Sequence, residues 1–139
     1  MSRTTEKPLS LTPEILVRAY AAGIFPMSES RTDTDIFWVD PQLRGILPLD
    51  DFHVSRSLKK VIRQGRFDVS VDQDFAAVIE ACAETPRQDQ GTWINDQIIA
   101  AYTALNGLGL AHSVECRLDG NLVGGLYGVS LKGAFCGES

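Results

Sequence analysis

The chain has 139 residues, 44% of them hydrophobic and 22% charged, the proportions of one globular domain or of a small domain joined to part of another. Thirteen lysines and arginines against eighteen aspartates and glutamates leave a net charge of −5, which argues against general nucleic-acid binding. No apolar run approaches the ~18 residues of a membrane span, and the start MSRTTEKPLSLTPE has no signal-peptide core, so the expected compartment is the cytoplasm.

Residues 1–10 read as disordered. SLTPEILVRAYAAGIFP then predicts a helix, with Thr12 as N-cap, Pro13 at its first position, Glu14 in its first turn and Gly23 as its stop. SESRTDTD is a polar loop, and IFWVDPQLRGILPLDDF reads as mostly extended segments broken by Pro41 and Pro48. These pieces form a small N-terminal unit with a boundary near Asp50 and Asp51.

VSRSLKKVIRQG has helical spacing, with Val54, Leu58, Val61 and Ile62 on one side, Arg56, Lys59, Lys60 and Arg63 on the other, and Gly65 as the stop. With Arg66, five of the thirteen basic residues fall within eleven positions that hold no acid. On an acidic protein this stripe is a candidate phosphate contact, because a cation that neutralises a phosphate releases a counterion. The alternative is an ordinary solvated helix face.

FDVSV alternates as a strand, and DQDFAAVIEACAE reads as an amphipathic helix capped by Asp72. TPRQDQG is a loop. WINDQIIAAYTALNGLG predicts a helix from about Asn95, stopped by Gly107 and Gly109. AHSVECRLDGNLVGGLYGVSLKGAFCG carries two hairpin signals, DGN and LKG. The second unit therefore runs helix, strand, helix, helix, strand, strand, strand, an α/β (α+β) order ending in antiparallel strands.

The inventory for chemistry is short. Cys82, Cys116 and Cys136 are odd in number and widely spaced, which fits reduced, buried thiols rather than disulfides or a zinc site. His53 and His112 read as structural. Gly124, Gly125 and Gly128 follow a hairpin signal instead of joining a strand to a helix, so they read as close backbone approaches and not as a phosphate loop. Glu138 follows an apolar strand, and a buried carboxylate must be paired or hold its proton unusually tightly. Either state suits a group that binds an amine or handles its proton.

The runs AYAAGIFPM, FWVDPQLRGILPL, FHVSRSLKK, GTWIN, LGLAHSVE, LVGGLYGV and FCGES, in this order and spacing, resemble the bacterial leucyl/phenylalanyl-tRNA–protein transferase family from about Leu11 to Ser139. The resemblance implies a cytoplasmic enzyme that moves leucine, phenylalanine or methionine from an aminoacyl-tRNA to the N-terminal arginine or lysine of a protein, marking it for N-end rule degradation. It implies no metal and no cofactor, since the aminoacyl ester is already activated. The fold it implies is a small N-terminal domain, residues 1–50, followed over 51–139 by the first part of a GNAT-like domain with a mixed, largely antiparallel sheet. Glu138 matches the family's active-site glutamate. Trp93 matches a tryptophan at the aminoacyl-adenosine end, and Leu126 and Phe135 match positions of the apolar side-chain pocket. The helix of Arg56, Lys59, Lys60 and Arg63, with Arg66 beyond it, matches the region associated with the tRNA backbone. Met27 stands where many relatives carry a tryptophan, a departure at the adenosine site.

The family also continues beyond the position of Ser139, with further strands, more of the pocket, and an aspartate and a glutamine assigned to the proton relay. The expectation is therefore a fragment, or a product with little activity alone, with one strand edge and one apolar sheet face uncovered. Two other classes fit less of the chain. A non-catalytic tRNA-binding module would keep the basic helix. An N-acetyltransferase of the same fold would need an R/Q-x-x-G-x-G/A loop that does not occur.

Overall fold

A computed structural model describes residues 10–85, 87–88 and 91–139. The disorder expected of residues 1–10 concerns, Ser10 apart, residues outside those described, as do Pro86, Asp89 and Gln90 of the TPRQDQG loop. Helix α1 spans Pro13–Ala21, with the Thr12 hydroxyl accepting from the Ile15 N–H and Gly23 turning the chain at φ +82°. Strands β1 (Phe25–Met27) and β2 (Phe37–Val39) form an antiparallel pair. The extended stretch expected after β2 holds no further strand, only a single 3₁₀ turn at Leu49–Asp51.

The remaining elements follow the expected order. Helix α2 is Arg56–Gln64, β3 is Phe67–Val71, α3 is Phe75–Glu84 and α4 is Asp96–Gly107. Strands β4 (Ala111–Leu118), β5 (Asn121–Leu131) and β6 (Ala134–Gly137) then join β3 in a sheet of order β3-β4-β5-β6, antiparallel throughout. Both hairpins turn through two consecutive left-handed residues, Asp119 and Gly120, then Lys132 and Gly133. This is the type I′ geometry that matches the twist of the strands. Among the described residues no helix is long and apolar enough to cross a membrane.

One core unites the chain. Leu16 of α1 joins Phe75, Val78 and Ile79 of α3, Ile98, Tyr102 and Leu105 of α4, and Tyr127 and Val129 of β5. The helices cover the sheet face that carries Tyr127, Val129 and Glu115. The opposite face carries Val69, Val71, Leu126 and Phe135, all exposed, as expected of an uncovered apolar sheet face.

Two further readings are corrected. Asp74, not Asp72, caps α3, accepting from the Ala77 N–H at 3.1 Å. Asp72 sits at φ +55° and turns back to β4, where it accepts from the Ser113 N–H at 3.0 Å and lies 2.6 Å from His112 Nδ1. The three cysteines are free thiols but only half-buried. Helix α2 forms and stops at Gly65 as expected, with Ser55 as its N-cap; on its apolar side Leu58 and Ile62 are exposed, and no helix or strand packs extensively on it.

The glycines of β5 are close approaches. A Cβ on Gly128 would lie 2.4 Å from the Cys136 carbonyl oxygen and 2.6 Å from the Phe135 ring, and one on Gly125 would lie 2.8 Å from the Val114 oxygen. Gly128→Ala should therefore force β6 away from β5 and destabilise the fold by about 1–3 kcal/mol. An unchanged urea midpoint would refute this packing.

Candidate active site

Glu138 follows β6, where its N–H donates to the Tyr127 carbonyl oxygen at 2.9 Å while the Tyr127 N–H donates to the Ser139 oxygen at 2.9 Å. One residue of β5 thus faces two at the end of the chain, and the Glu138 side chain turns toward α1. There the Tyr20 hydroxyl donates to its Oε1. Tyr20 is linked in turn to the Tyr102 hydroxyl at 2.6 Å. Because the single Tyr20 proton goes to the carboxylate, Tyr102 is the donor in that second bond. Tyr102 packs edge-on against both Tyr20 and Tyr127.

Burial pushes the Glu138 carboxyl above the ordinary carboxylate range, with the Tyr20 hydrogen bond and the positive charge of Arg44 pulling partly back. Burial likewise raises the hydroxyls of Tyr20, Tyr102 and Tyr127, each further by its acidic neighbours. The tyrosines therefore stay neutral donors. The carboxylate is a stronger base than a surface glutamate and is held at a defined place.

Trp93 reaches the same end of the molecule. Its carbonyl oxygen accepts from the Ser28 N–H at 2.9 Å, which sets Met27 of β1 on the adjoining segment. The Trp93 ring packs on the edge of the core. The Arg87 guanidinium lies over it, 4.0 Å from its centroid.

Leu126 and Phe135 are half-exposed and share one face of the sheet, with the Phe135 ring over Gly128. They do not share it with Glu138, which points to the helix-covered side. The parity of the strand carries this: positions 135 and 138 differ by an odd number. Arg56, Lys59, Lys60 and Arg63 are exposed on α2, and Arg66 is exposed beyond the helix at the start of β3. Among the described residues none of the five is in an ion pair.

Tyr20, Tyr102 and Arg87 were not singled out from the sequence. The signal for the tyrosines was available: Tyr20 lies four residues after Leu16, and Tyr102 lies four after Ile98, so each falls on a core-facing stripe where its hydroxyl needs a partner. A cleft of about 850 Å³ lies elsewhere, between Leu11, Ile15, Ile24, Ile36, Trp38 and Gln97, and none of the candidate residues lines it. No buried titratable group lines it. Among the described residues no three His, Cys, Asp or Glu side chains are grouped to hold a metal ion.

Comparison with known proteins meets this geometry from another direction. Residues 46–139 match the family described as leucyl/phenylalanyl-tRNA protein transferase, and residues 10–42 match the N-terminal domain of the same family. A leucyl/phenylalanyl-tRNA–protein transferase of Zymomonas mobilis subsp. mobilis is 57% identical over 129 residues, covering 93% of this chain and 48% of the relative. Proteins of the same name from Dinoroseobacter shibae and Cereibacter sphaeroides are 54% identical over 132 residues and 57% over 133, covering 95% and 96% of this chain and 57% and 60% of theirs. The chain spans about half the length of the curated relatives it matches.

Proposed function

Since this chain belongs to the leucyl/phenylalanyl-tRNA protein transferase family, we propose that it serves aminoacyl transfer from tRNA to the N-terminal arginine or lysine of an acceptor protein, with leucine, phenylalanine or methionine as the group moved. The observation that carries this reading is Glu138, half-buried, basic for a carboxylate and hydrogen-bonded by Tyr20.

In this reading the Glu138 carboxylate takes a proton from the acceptor's ammonium group. The neutral amine attacks the ester carbonyl, a C–N bond forms, and the C–O bond to the ribose breaks. The proton held by Glu138 passes to the departing ribose oxygen, and the second proton that the nitrogen loses on becoming an amide goes to solvent. Leu126 and Phe135 favour an apolar side chain on the transferred residue, and they separate apolar side chains weakly, since a methylene is worth about 1–3 kcal/mol. Met27 and Trp93 lie toward the adenosine. The cations of α2, with Arg66, meet the tRNA backbone while the surrounding negative charge discourages contact elsewhere. The work belongs in the cytoplasm, where aminoacyl-tRNA is found.

The test is radiolabelled leucyl-tRNA with an arginine-starting peptide, run with this chain and with this chain joined to the C-terminal part of the Zymomonas mobilis relative. Label on the arginine peptide but not on a serine-starting one, from either protein, supports the reading. No label from the joined protein overturns it. Binding of leucyl-tRNA should carry a salt slope of at most about −3.5 at roughly 0.7 per phosphate contact. Neutralising Arg56, Lys59, Lys60 and Arg63 together should flatten most of it.

A further inference from the structure

Arg87 is a half-buried cation that touches three elements at once. Its Nη2 donates to the Cys82 carbonyl oxygen near the end of α3 at 3.3 Å and to the Ser139 hydroxyl, while the guanidinium lies over Trp93. Ser139 is the residue after Glu138, and its carbonyl oxygen receives the Tyr127 N–H. No described carboxylate forms an ion pair with Arg87. A cation spending its donors on a carbonyl and a hydroxyl, and its face on an indole, is placed to hold backbone and ring in register.

We propose that Arg87 is a positioning residue that fixes the Trp93 ring and the segment carrying Glu138 as one unit. It couples the place where an adenosine would sit to the carboxylate that would receive the amine. The coupling is mechanical. The α3 end, held by the core through Ala83, is the anchor, and the guanidinium is the bracket. A lysine at this position keeps a charge near the ring but lacks the planar fork, so it would not join all three contacts. The functional meaning of this bracket rests on the proposed aminoacyl transfer, whereas the bracket itself is a property of the fold.

The experiment uses the 139-residue chain with Trp38→Phe, which leaves Trp93 as the one tryptophan. Arg87→Met and Ser139→Ala are compared with this parent by tryptophan emission, by residue-resolved amide hydrogen exchange and by thermal melting. Arg87→Met should change Trp93 emission and speed exchange of the Tyr127 and Glu138 amides about tenfold, with amides of α4 unchanged. Ser139→Ala should speed the same two amides and leave emission close to the parent. Unchanged emission and exchange in Arg87→Met, or equal acceleration at every amide, overturns the proposal. If Arg87→Met does not fold, Arg87→Lys decides by the same readings. Binding of a 3′-amide of phenylalanyl-adenosine should weaken about tenfold in Arg87→Met. A parent that fails to bind this amide counts against the proposed function, and emission with exchange still decides the bracket.

Discussion

Glu115→Ala should cost the fold roughly 3–5 kcal/mol, a large part of the stability of a domain this size. Glu115 is 0% exposed, yet it has four donors: the N–H groups of Gln73 and Asp74 at 3.0 and 2.8 Å, and the hydroxyls of Ser113 and Ser70 at 2.8 and 3.0 Å. It therefore ties β3, the turn into α3 and β4 together, and it supplies negative charge at the start of α3. Alanine takes the acceptor away from two backbone N–H groups and two hydroxyls and leaves a cavity where the buried side chain stood. The hydroxyls can turn to other partners, but the backbone donors cannot. Burial alone would raise this carboxyl. The bonds from Asp74, Ser113, Ser70 and Gln73 together outweigh it and hold the group below its ordinary 4.5. The stabilisation is thus complete above pH 4.5 and is lost as pH falls below it through the depressed folded value. Urea midpoints measured from pH 7 downward should show this acid loss in the parent and a flatter acid limb in Glu115→Gln. Equal acid limbs would remove Glu115 from its role.

The parts of the fold that could be read from sequence are those whose chemistry is local. Thr12 and Asn95 cap the helices they precede because a short oxygen-bearing side chain reaches an N–H three residues ahead. Asp119-Gly120 and Lys132-Gly133 turn the chain because they accept left-handed backbone. The DQDF stretch offered two aspartates of equal local merit. What separates them is distant: the Ser113 N–H and His112 draw Asp72 to β4 and leave Asp74 at the helix. The apolar side of α2 has the right period for burial, but period does not supply a surface to bury against. Of the candidate site, Glu138 was legible as a carboxylate after an apolar strand. Its partner Tyr20 lies 118 positions away, and only the packing of α1 on α4 and β5 brings the two together. Arg87 lay in a loop with no apolar pattern, so nothing local marked it.

Glu138→Gln should separate stability from function in opposite directions. The carboxyl of Glu138 is raised above its ordinary 4.5, burial being the main cause. A raised acid favours the fold while protonated. Its contribution is therefore favourable at low pH, declines as pH rises above 4.5 through the elevated folded value, and opposes folding beyond that. At pH 7 the amide removes the buried charge and still accepts the Tyr20 hydroxyl, so Tm should rise by roughly 2–4 °C. Tyr20→Phe tests the same balance from the other side. It removes the bond that favours the charged form, so the carboxyl should move higher still, measurable by carbon NMR of the labelled glutamate. In the protein joined to the Zymomonas mobilis C-terminal part, Glu138→Gln should lower leucyl transfer about 100- to 1,000-fold, the loss expected when a positioned base is removed. Under the proposed function the two effects share one cause, a charge kept where the fold disfavours it and retained for the transfer step. Glu115 is the contrast. Its charge has four donors and stabilises the fold, whereas Glu138 has one donor, Tyr20, and a nearby arginine. A Glu138→Gln protein that melts lower than the parent at pH 7, or transfers leucine at an equal rate, would end this assignment.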